Sequence, residues 1–332
     1  MARRTRALDT ERAMQRSRRM ATHVFVAACA LSSLAAAAMA MDESRRVTSV
    51  IDSYPSASPD GRRLVFQSNR SGTSQIHVMN LDGSELRRLT DVRIGARTPK
   101  WSPDGREIVY TIGTDDTSDI WLMAADGSAA HALIEAPGDD SHPQWTPDGA
   151  AIVFNSSRTS PPAHGKEAVE WDDVFMVRRD GNGLRQLTHC HAICTYPSLA
   201  PDGRRMAYRR VVNVAGFDWS LANSAVNSEV VVANIDGSDE RNLSNNAAFD
   251  GWPAWSPDGS RIAFASNRAG PANTGQIYLV HPDGSALHAI SSGHWSRVQP
   301  AWSRDARTLY VYEGQESGAL EFGAIAALDV AP

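Results

Sequence analysis

One five-residue phrase returns along the whole chain. It reads ASPDG at 57–61, WSPDG at 101–105, WTPDG at 145–149, LAPDG at 199–203 and WSPDG at 255–259, then degrades to WSRDA at 302–306. A plain Asp-Gly alternates with it, its Asp at 82, 126, 180, 236 and 283; Asp329 takes the same place without the glycine. From each Asp-Gly aspartate to the next Ser-Pro-Asp-Gly aspartate the spacing is 22 residues in all five cases. The return spacings are 22, 22, 32, 34, 25 and 24, so every change of length falls in one half of the unit. A mark repeated at a near-fixed period signals a stacked or circular array of one supersecondary unit.

The residues between the marks say what the unit is. Ser-Pro-Asp-Gly suits a type I turn: proline presets φ at the second position, and Asp and Gly suit the third and fourth. An apolar run follows it each time: RLVFQS, EIVYTI, AIVFNS, RMAYRR, RIAFAS, TLYVYE. After a variable gap comes a second run: QIHVMN, DIWLMA, DVFMVR, EVVVAN, QIYLV. Asp-Gly turns the chain into a third run such as LRRLT or LRQLT, and a last short run leads into Pro-x-Trp and the next turn. These β-branched and aromatic runs, bounded by turn residues, read as strands.

Four strands in about 44 residues match a propeller blade. The expected fold is therefore all-β, a six-bladed β-propeller with four-stranded blades. Its blades are placed at about 50–90, 91–134, 135–188, 189–244, 245–291 and 292–330. The sixth unit stops at Asp329 without an outermost strand, and SRRVTSV at 44–50 is expected to supply it. That closure would remove two sheet edges. Trp101, Trp145, Trp255 and Trp302, just ahead of the turns, read as structural; Ala57 and Leu199 replace them in blades one and four.

Together, Pro-x-Trp-Ser-Pro-Asp-Gly, Ser-Asn-Arg at 68–70 and 266–268, Ile-aromatic-x-Met, Asp-Gly and Leu-Thr resemble the TolB-like β-propeller family of WD-like, PD-type repeats. The resemblance spans about 44–330. It implies an exported propeller that binds a protein or peptide in the cell envelope, as TolB binds the lipoprotein Pal. Related repeats also occur in prolyl oligopeptidase propellers and in carbohydrate-active enzymes, so the repeat speaks for fold more than for function. TolB carries an α/β domain ahead of its propeller; here the repeats begin soon after residue 40, leaving no room for one.

Residues 1–40 differ from the rest. Seven arginines in 1–20 precede the uncharged ATHVFVAACALSSLAAAAMA, which ends in Ala38-Met39-Ala40. This pattern reads as a secretory signal peptide at 1–40, with the propeller at 41–332. A retained membrane anchor is the alternative for the same segment. The whole chain carries a net charge of −5. Without the leader the balance is near −10, which disfavours nucleic acid and anionic membranes as partners. The expected partner is a periplasmic or outer-membrane-associated protein or peptide, with no membrane span once the signal is cleaved.

Function is expected at two places. The residue before each blade's proline is Tyr54, Thr98, His142, Tyr196, Trp252 and Gln299, six positions that symmetry puts in one ring at the channel mouth. Asp52, Asp140 and Asp250 stand two residues earlier in three blades. An acidic, aromatic ring could bind a peptide, a sugar or a cation; turn chemistry is the plainer account of the aspartates. The other place is the pair of long connections at 158–173 and 209–228, with Trp171, Phe217 and Trp219 as aromatic anchors.

Cys190 and Cys194, in THCHAIC, read as a local disulfide in an oxidising compartment, with free thiols or a metal as the other readings. That spacing fits no common zinc pattern, and neither a metal nor another cofactor is expected. Gly-x-Ser-x-Gly, His-Glu-x-x-His and phosphate-loop signatures are absent from the sequence, so no catalytic residue is assigned. The alternative to a scaffold is a propeller enzyme, a lyase or glycosidase, acting on a carbohydrate through His142 and neighbouring aspartates.

Overall fold

The computed structural model describes residues 50–330, except 115–116, 161–170, 212–227, 270–273 and 318–319. Every element among them is a β-strand, and no helix among them is long and apolar enough to cross a membrane. Blade one comprises β1 (Asp52–Ala57), β2 (Arg63–Ser68), β3 (Gln75–Asn80) and β4 (Arg87–Arg88). Blade two comprises β5 (Ala96–Trp101), β6 (Glu107–Gly113), β7 (Ser118–Ala124) and β8 (His131–Ile134). Blade three has β9 (Asp140–Trp145), β10 (Ala151–Ser156), β11 (Asp173–Arg178) and β12 (Arg185–Gln186). Blade four has β13 (Cys194–Leu199), β14 (Arg205–Val211), β15 (Ser228–Asn234) and β16 (Arg241–Asn242). Blade five has β17 (Asp250–Trp255), β18 (Ile262–Ser266), β19 (Gln276–Val280) and β20 (His288–Ala289). Blade six has β21 (Ser296–Trp302), β22 (Thr308–Ser317) and β23 (Leu320–Asp329).

Each blade is an antiparallel meander, and its first strand lies at one edge of the sheet. The six first strands neighbour one another in cyclic order, β21 returning to β1. They therefore line the axis, and the molecule is a six-bladed β-propeller. The segment expected to complete blade six, 44–50, lies outside the described residues except for Val50. At that point Gly323 N donates to Val50 O (3.3 Å), and Ile51 forms a parallel bridge with Gly323.

The apolar runs are buried on both faces because each blade packs on two neighbours; all six residues of Ala151–Ser156 are buried. Successive cores straddle blade boundaries. Val65, Ile76 and Val78 of blade one meet Trp101, Ile108 and Tyr110 of blade two. Val109, Ile120 and Leu122 of blade two then meet Trp145, Ile152 and Phe154 of blade three. A buried aromatic side chain of this size is worth several kcal/mol when truncated, about 3–5 kcal/mol for Trp to Ala. Arginines just past a turn cover the next blade's tryptophan: Arg63 over Trp101 (5.0 Å), Arg205 over Trp255 (4.9 Å) and Arg261 over Trp302 (5.4 Å).

The repeated turn is built from its own residues. Ser58 Oγ donates to Asp60 Oδ1 (2.5 Å), Arg62 N donates to the same oxygen (3.0 Å), and Gly61 N donates to Ser58 O (2.9 Å). The hydroxyl–aspartate bond recurs at Ser102–Asp104, Thr146–Asp148, Ser256–Asp258 and Ser303–Asp305, at 2.5–2.7 Å. Blade four has Ala200 there, and Asp202 instead accepts from Arg204 N (2.8 Å) and from the Arg205 side chain (3.4 Å). The turn's glycine sits at φ near +70° in five blades, a region L-residues avoid. In the degraded sixth copy Ala306 is held at φ 57°.

Candidate functional site

Each axis-lining strand carries a break in its register with the second strand. The breaks fall between Ser53 and Ser56, Arg97 and Lys100, Thr195 and Ser198, Gly251 and Ala254, and Val298 and Ala301; in blade three the partner strand records it between Val153 and Asn155. At each break stands the residue before the proline: Tyr54, Thr98, His142, Tyr196, Trp252 and Gln299, all with φ between 49° and 57°. These are β-bulges. Proline lacks an N–H, so a strand tolerates it where the ladder is already interrupted. Left-handed backbone at six non-glycine residues costs energy, of order 1–2 kcal/mol each, and persists only where the surroundings hold it.

Side chains of the neighbouring blade do that holding. Tyr54 N donates to Gln299 Oε1 (2.9 Å), Thr98 N to Gln67 Oε1 (3.0 Å) and Tyr196 N to Asn155 Oδ1 (3.4 Å). Gln67, Asn155 and Arg209 occupy one repeat position, the fifth residue of the second strand's apolar run. Arg209 is 1% exposed and lies below the ring, 4.9 Å from the Tyr196 ring and 5.5 Å from that of Phe249. Gly251 makes this possible: a Cβ there would stand 3.1 Å from Arg209 Cδ and 2.9 Å from Phe249 Cζ.

The ring aromatics touch in sequence. Tyr54 and His142 centroids are 5.7 Å apart, His142 meets Tyr196 edge-on at 4.2 Å, and Tyr196 and Trp252 are 5.4 Å apart. Burial, reinforced by Arg209, pulls the His142 pKa down to about 3, so the imidazole is neutral at physiological pH. Its Nδ1 lies 3.2 Å from Asn155 Oδ1. That oxygen can only accept, which assigns the proton to Nδ1. Burial likewise raises the Tyr54 and Tyr196 hydroxyl pKa values, so both stay protonated donors.

All six ring residues line one cavity of about 260 Å³ on the axis. Its other walls belong to the turn side of the propeller. They include Ser56, Lys100, Gln144, Ser198, Ala254 and Ala301, one step beyond each proline, and Pro147 and Pro257 within the turns. Ala57 and Leu199, the two departures from tryptophan, also line it. The cavity thus runs from the ring toward the short turns. The strand ends that flank the two long connections, Ser156 and Asp173 in blade three and Val211 and Ser228 in blade four, are the ends opposite the short turns.

The three aspartates do not line this cavity. Asp52 pairs with Arg70 (2.6 Å), Asp140 with Arg158 (2.5 Å) and Asp250 with Arg268 (2.8 Å). Each arginine also donates from Nε to a serine, Ser68, Ser156 or Ser266, and lies over Phe66, Phe154 or Phe264. Burial pushes the Asp140 and Asp250 pKa values up, against the pull of their arginines. The Ser-x-Arg signature of blades one, three and five is therefore an internal ion-pair lock.

Trp171 packs edge-on against His191 (4.9 Å) beside the entry to blade four. Phe217 and Trp219 lie outside the described residues. Cys190 and Cys194 are disulfide-bonded, with Cα atoms 6.4 Å apart. Among the described residues no three His, Cys, Asp or Glu side chains gather as a metal site would require.

Sequence reasoning missed Lys100, Gln144 and Arg209. Two signals pointed to them. The x of Pro-x-Trp is a repeat position like any other, and it reads Ser, Lys, Gln, Ser, Ala, Ala around the ring. Arg209 is a charge inside an otherwise apolar run, RMAYRR.

A TolB beta propeller domain family model matches residues 91–164 and 219–330. Over 128 residues the chain is 28% identical to a TolB homolog of Chlorobium luteolum, covering 30% of this chain and 29% of that protein. Over 48 residues it is 46% identical to the peptidase YuxL of Bacillus subtilis, described as uncharacterized, covering 14% of this chain and 7% of that protein. The chain thus spans under a third of these curated relatives. TolB from Acinetobacter baumannii superposes with a TM-score of 0.60 at 20% identity, over 76% of this chain and 57% of that one. A puromycin-hydrolyzing peptidase of Mycobacterium tuberculosis gives 0.55 at 14% identity, over 85% and 46%. The oligogalacturonate lyase of Vibrio parahaemolyticus gives 0.52 at 13% identity, over 85% and 91%. At such identities these structural likenesses speak for the fold.

Proposed function

We propose that this chain, which belongs to the TolB beta propeller domain family, is an exported periplasmic scaffold that binds a protein or peptide in the cell envelope. Its binding site is the axial cavity, with Tyr54, His142, Tyr196, Trp252 and Gln299 as the contact ring. One observation carries this reading: five aromatic or amide-bearing side chains share a preformed cavity, while the nearby aspartates are spent on internal arginines. Aromatic side chains in a rigid concavity supply contact area at low entropic cost. The long connections carrying Trp171, Phe217 and Trp219 are proposed as a second contact region.

The enzymatic alternative, a lyase or glycosidase acting on a carbohydrate, needs convergent titratable groups tuned near the working pH. A histidine held near pKa 3 is a weak base at neutral pH, and a glycosidase's two carboxyls are not among the lining residues. A crosslinking pulldown of the tagged mature protein from its own periplasm tests the scaffold. Wild type is expected to capture an envelope protein, and Tyr196→Ala with Trp252→Ala to lose at least tenfold of it. Undiminished capture by that double variant sinks the cavity as the site; turnover of a glycan lost in His142→Ala would establish the enzyme instead.

A further inference from the structure

The axial cavity is lined by one charged side chain that no carboxylate among the described residues answers. Lys100 stands at the x of Pro-x-Trp in blade two and lines the cavity; the same position elsewhere holds serine, glutamine or alanine. Among the described residues no carboxylate pairs with it, whereas nine arginines form ion pairs with Asp or Glu. None of the cavity-lining residues is Asp or Glu. This is notable in a chain whose net charge is −5. Below the ring, the guanidinium of buried Arg209 lies against the aromatic floor and has Asp172 as its electrostatic counterpart, so Lys100 is the cation left to a ligand.

Lys100 is partly buried, and withdrawing a protonated amine even in part from bulk water without a partner is costly. We propose that the axial cavity is a carboxylate-binding site, in which Lys100 pairs with the ligand's carboxylate while Tyr54, Tyr196 and Trp252 pack against the group that bears it. A monoanion matches one lysine; a phosphate dianion would leave half its charge unanswered. A volume of about 260 Å³ admits a side chain, a chain terminus or one sugar-acid ring, and not a folded domain. Burial already pulls the Lys100 pKa down to about 8, as expected for a cation lacking its counter-ion. This inference rests on the cavity being a binding site, the reading given above, and names the chemistry it selects.

The chain has two lysines, Lys100 and Lys166. Labelling the full-length mature protein with ε-13C-lysine therefore gives two signals, and Lys100→Met assigns them. The probes are N-acetylglutamyl amide against N-acetylglutaminyl amide, galacturonate against galactose, and inorganic phosphate. The carboxylate probes are expected to raise the Lys100 titration midpoint and to bind at least tenfold more tightly than their neutral counterparts. Lys100→Met should abolish that preference, and Lys100→Arg should retain part of it. The glutamyl probe binding better than galacturonate assigns the carboxylate to a peptide; the reverse assigns it to a sugar acid. Equal affinity for charged and neutral probes, a preference that survives Lys100→Met, or tighter binding of phosphate overturns the proposal. The pulldown separates the two readings. Partner capture unaffected by Lys100→Met would leave the scaffold standing and remove the carboxylate site. Carboxylate binding without any captured partner would do the reverse.

Discussion

The six turns and the six bulges come from the same repeat, yet they have diverged unequally. The turns are near copies, with Asp held by a hydroxyl two residues before it in five blades. The bulge residues share one backbone conformation but none of their chemistry except tyrosine, which appears twice. The reason is where each finds its partners. A turn's hydrogen bonds lie within five residues, so any copy of the sequence rebuilds it. A bulge residue's partners come from the preceding blade: Tyr54 from Gln299, Thr98 from Gln67, Tyr196 from Asn155. The backbone is fixed by geometry around the axis, and the side chain is left free to vary.

That contrast can be broken most severely at the ion-pair locks beside the bulges. Arg158→Ala strands Asp140, whose side chain is 1% exposed, and should cost about 3–5 kcal/mol in urea unfolding at pH 7. The loss should shrink at acidic pH, because a carboxyl already raised by burial then takes up its proton. Asp140→Asn in the same chain should recover most of the loss; no recovery would mean the arginine acts through Phe154 packing instead.

The next effect belongs to His142. Its folded pKa of about 3 lies below the ordinary 6.5, so the unfolded chain takes the proton first. Stability should therefore fall as pH drops below 6.5, by at most about 1.4 kcal/mol per pH unit, until about pH 3. His142→Gln should flatten that limb. An identical acid limb in both proteins would show that the ring's interior is wetter than its packing implies.

Turn variants should do less. Ser256→Ala removes the hydroxyl that holds the Asp258 pKa down at about 2, and should cost about 1 kcal/mol. Asp258 should then titrate nearer an ordinary aspartate in side-chain NMR. The effect should stay within its own blade, seen as hydrogen exchange altered only around 255–262. Smallest is Ala306→Gly, which relieves the one SPDG-type turn held left-handed without glycine and should stabilise by about 0.5–1 kcal/mol in thermal unfolding. A destabilised Ala306→Gly would show that glycine's greater unfolded freedom outweighs the strain.

The fold was legible because its signals are short-range and repeated. RLVFQS, QIHVMN, AIVFNS and DVFMVR are strands with the bounds the runs suggested. The third runs were overread: LRRLT yields a strand of only Arg87–Arg88, since an outer strand pairs on one side and has little to hold it. The ring was legible as six positions, because symmetry alone brings them to the axis. Its second layer was not singled out. Lys100 reads as an ordinary surface lysine until it is seen to line the axial cavity.

Sequence by itself determined the repeat, its turns, the number of blades and which residues share the axis, since each follows from spacing and from bonds made within a few residues. Tertiary structure alone decided the chemistry of that axis. It turned three candidate acidic ligands into internal ion pairs, neutralised His142 by burial, and left Lys100 facing a cavity with no carboxylate. Charge pairing and desolvation depend on neighbours a blade away, and no local pattern of residues encodes that distance.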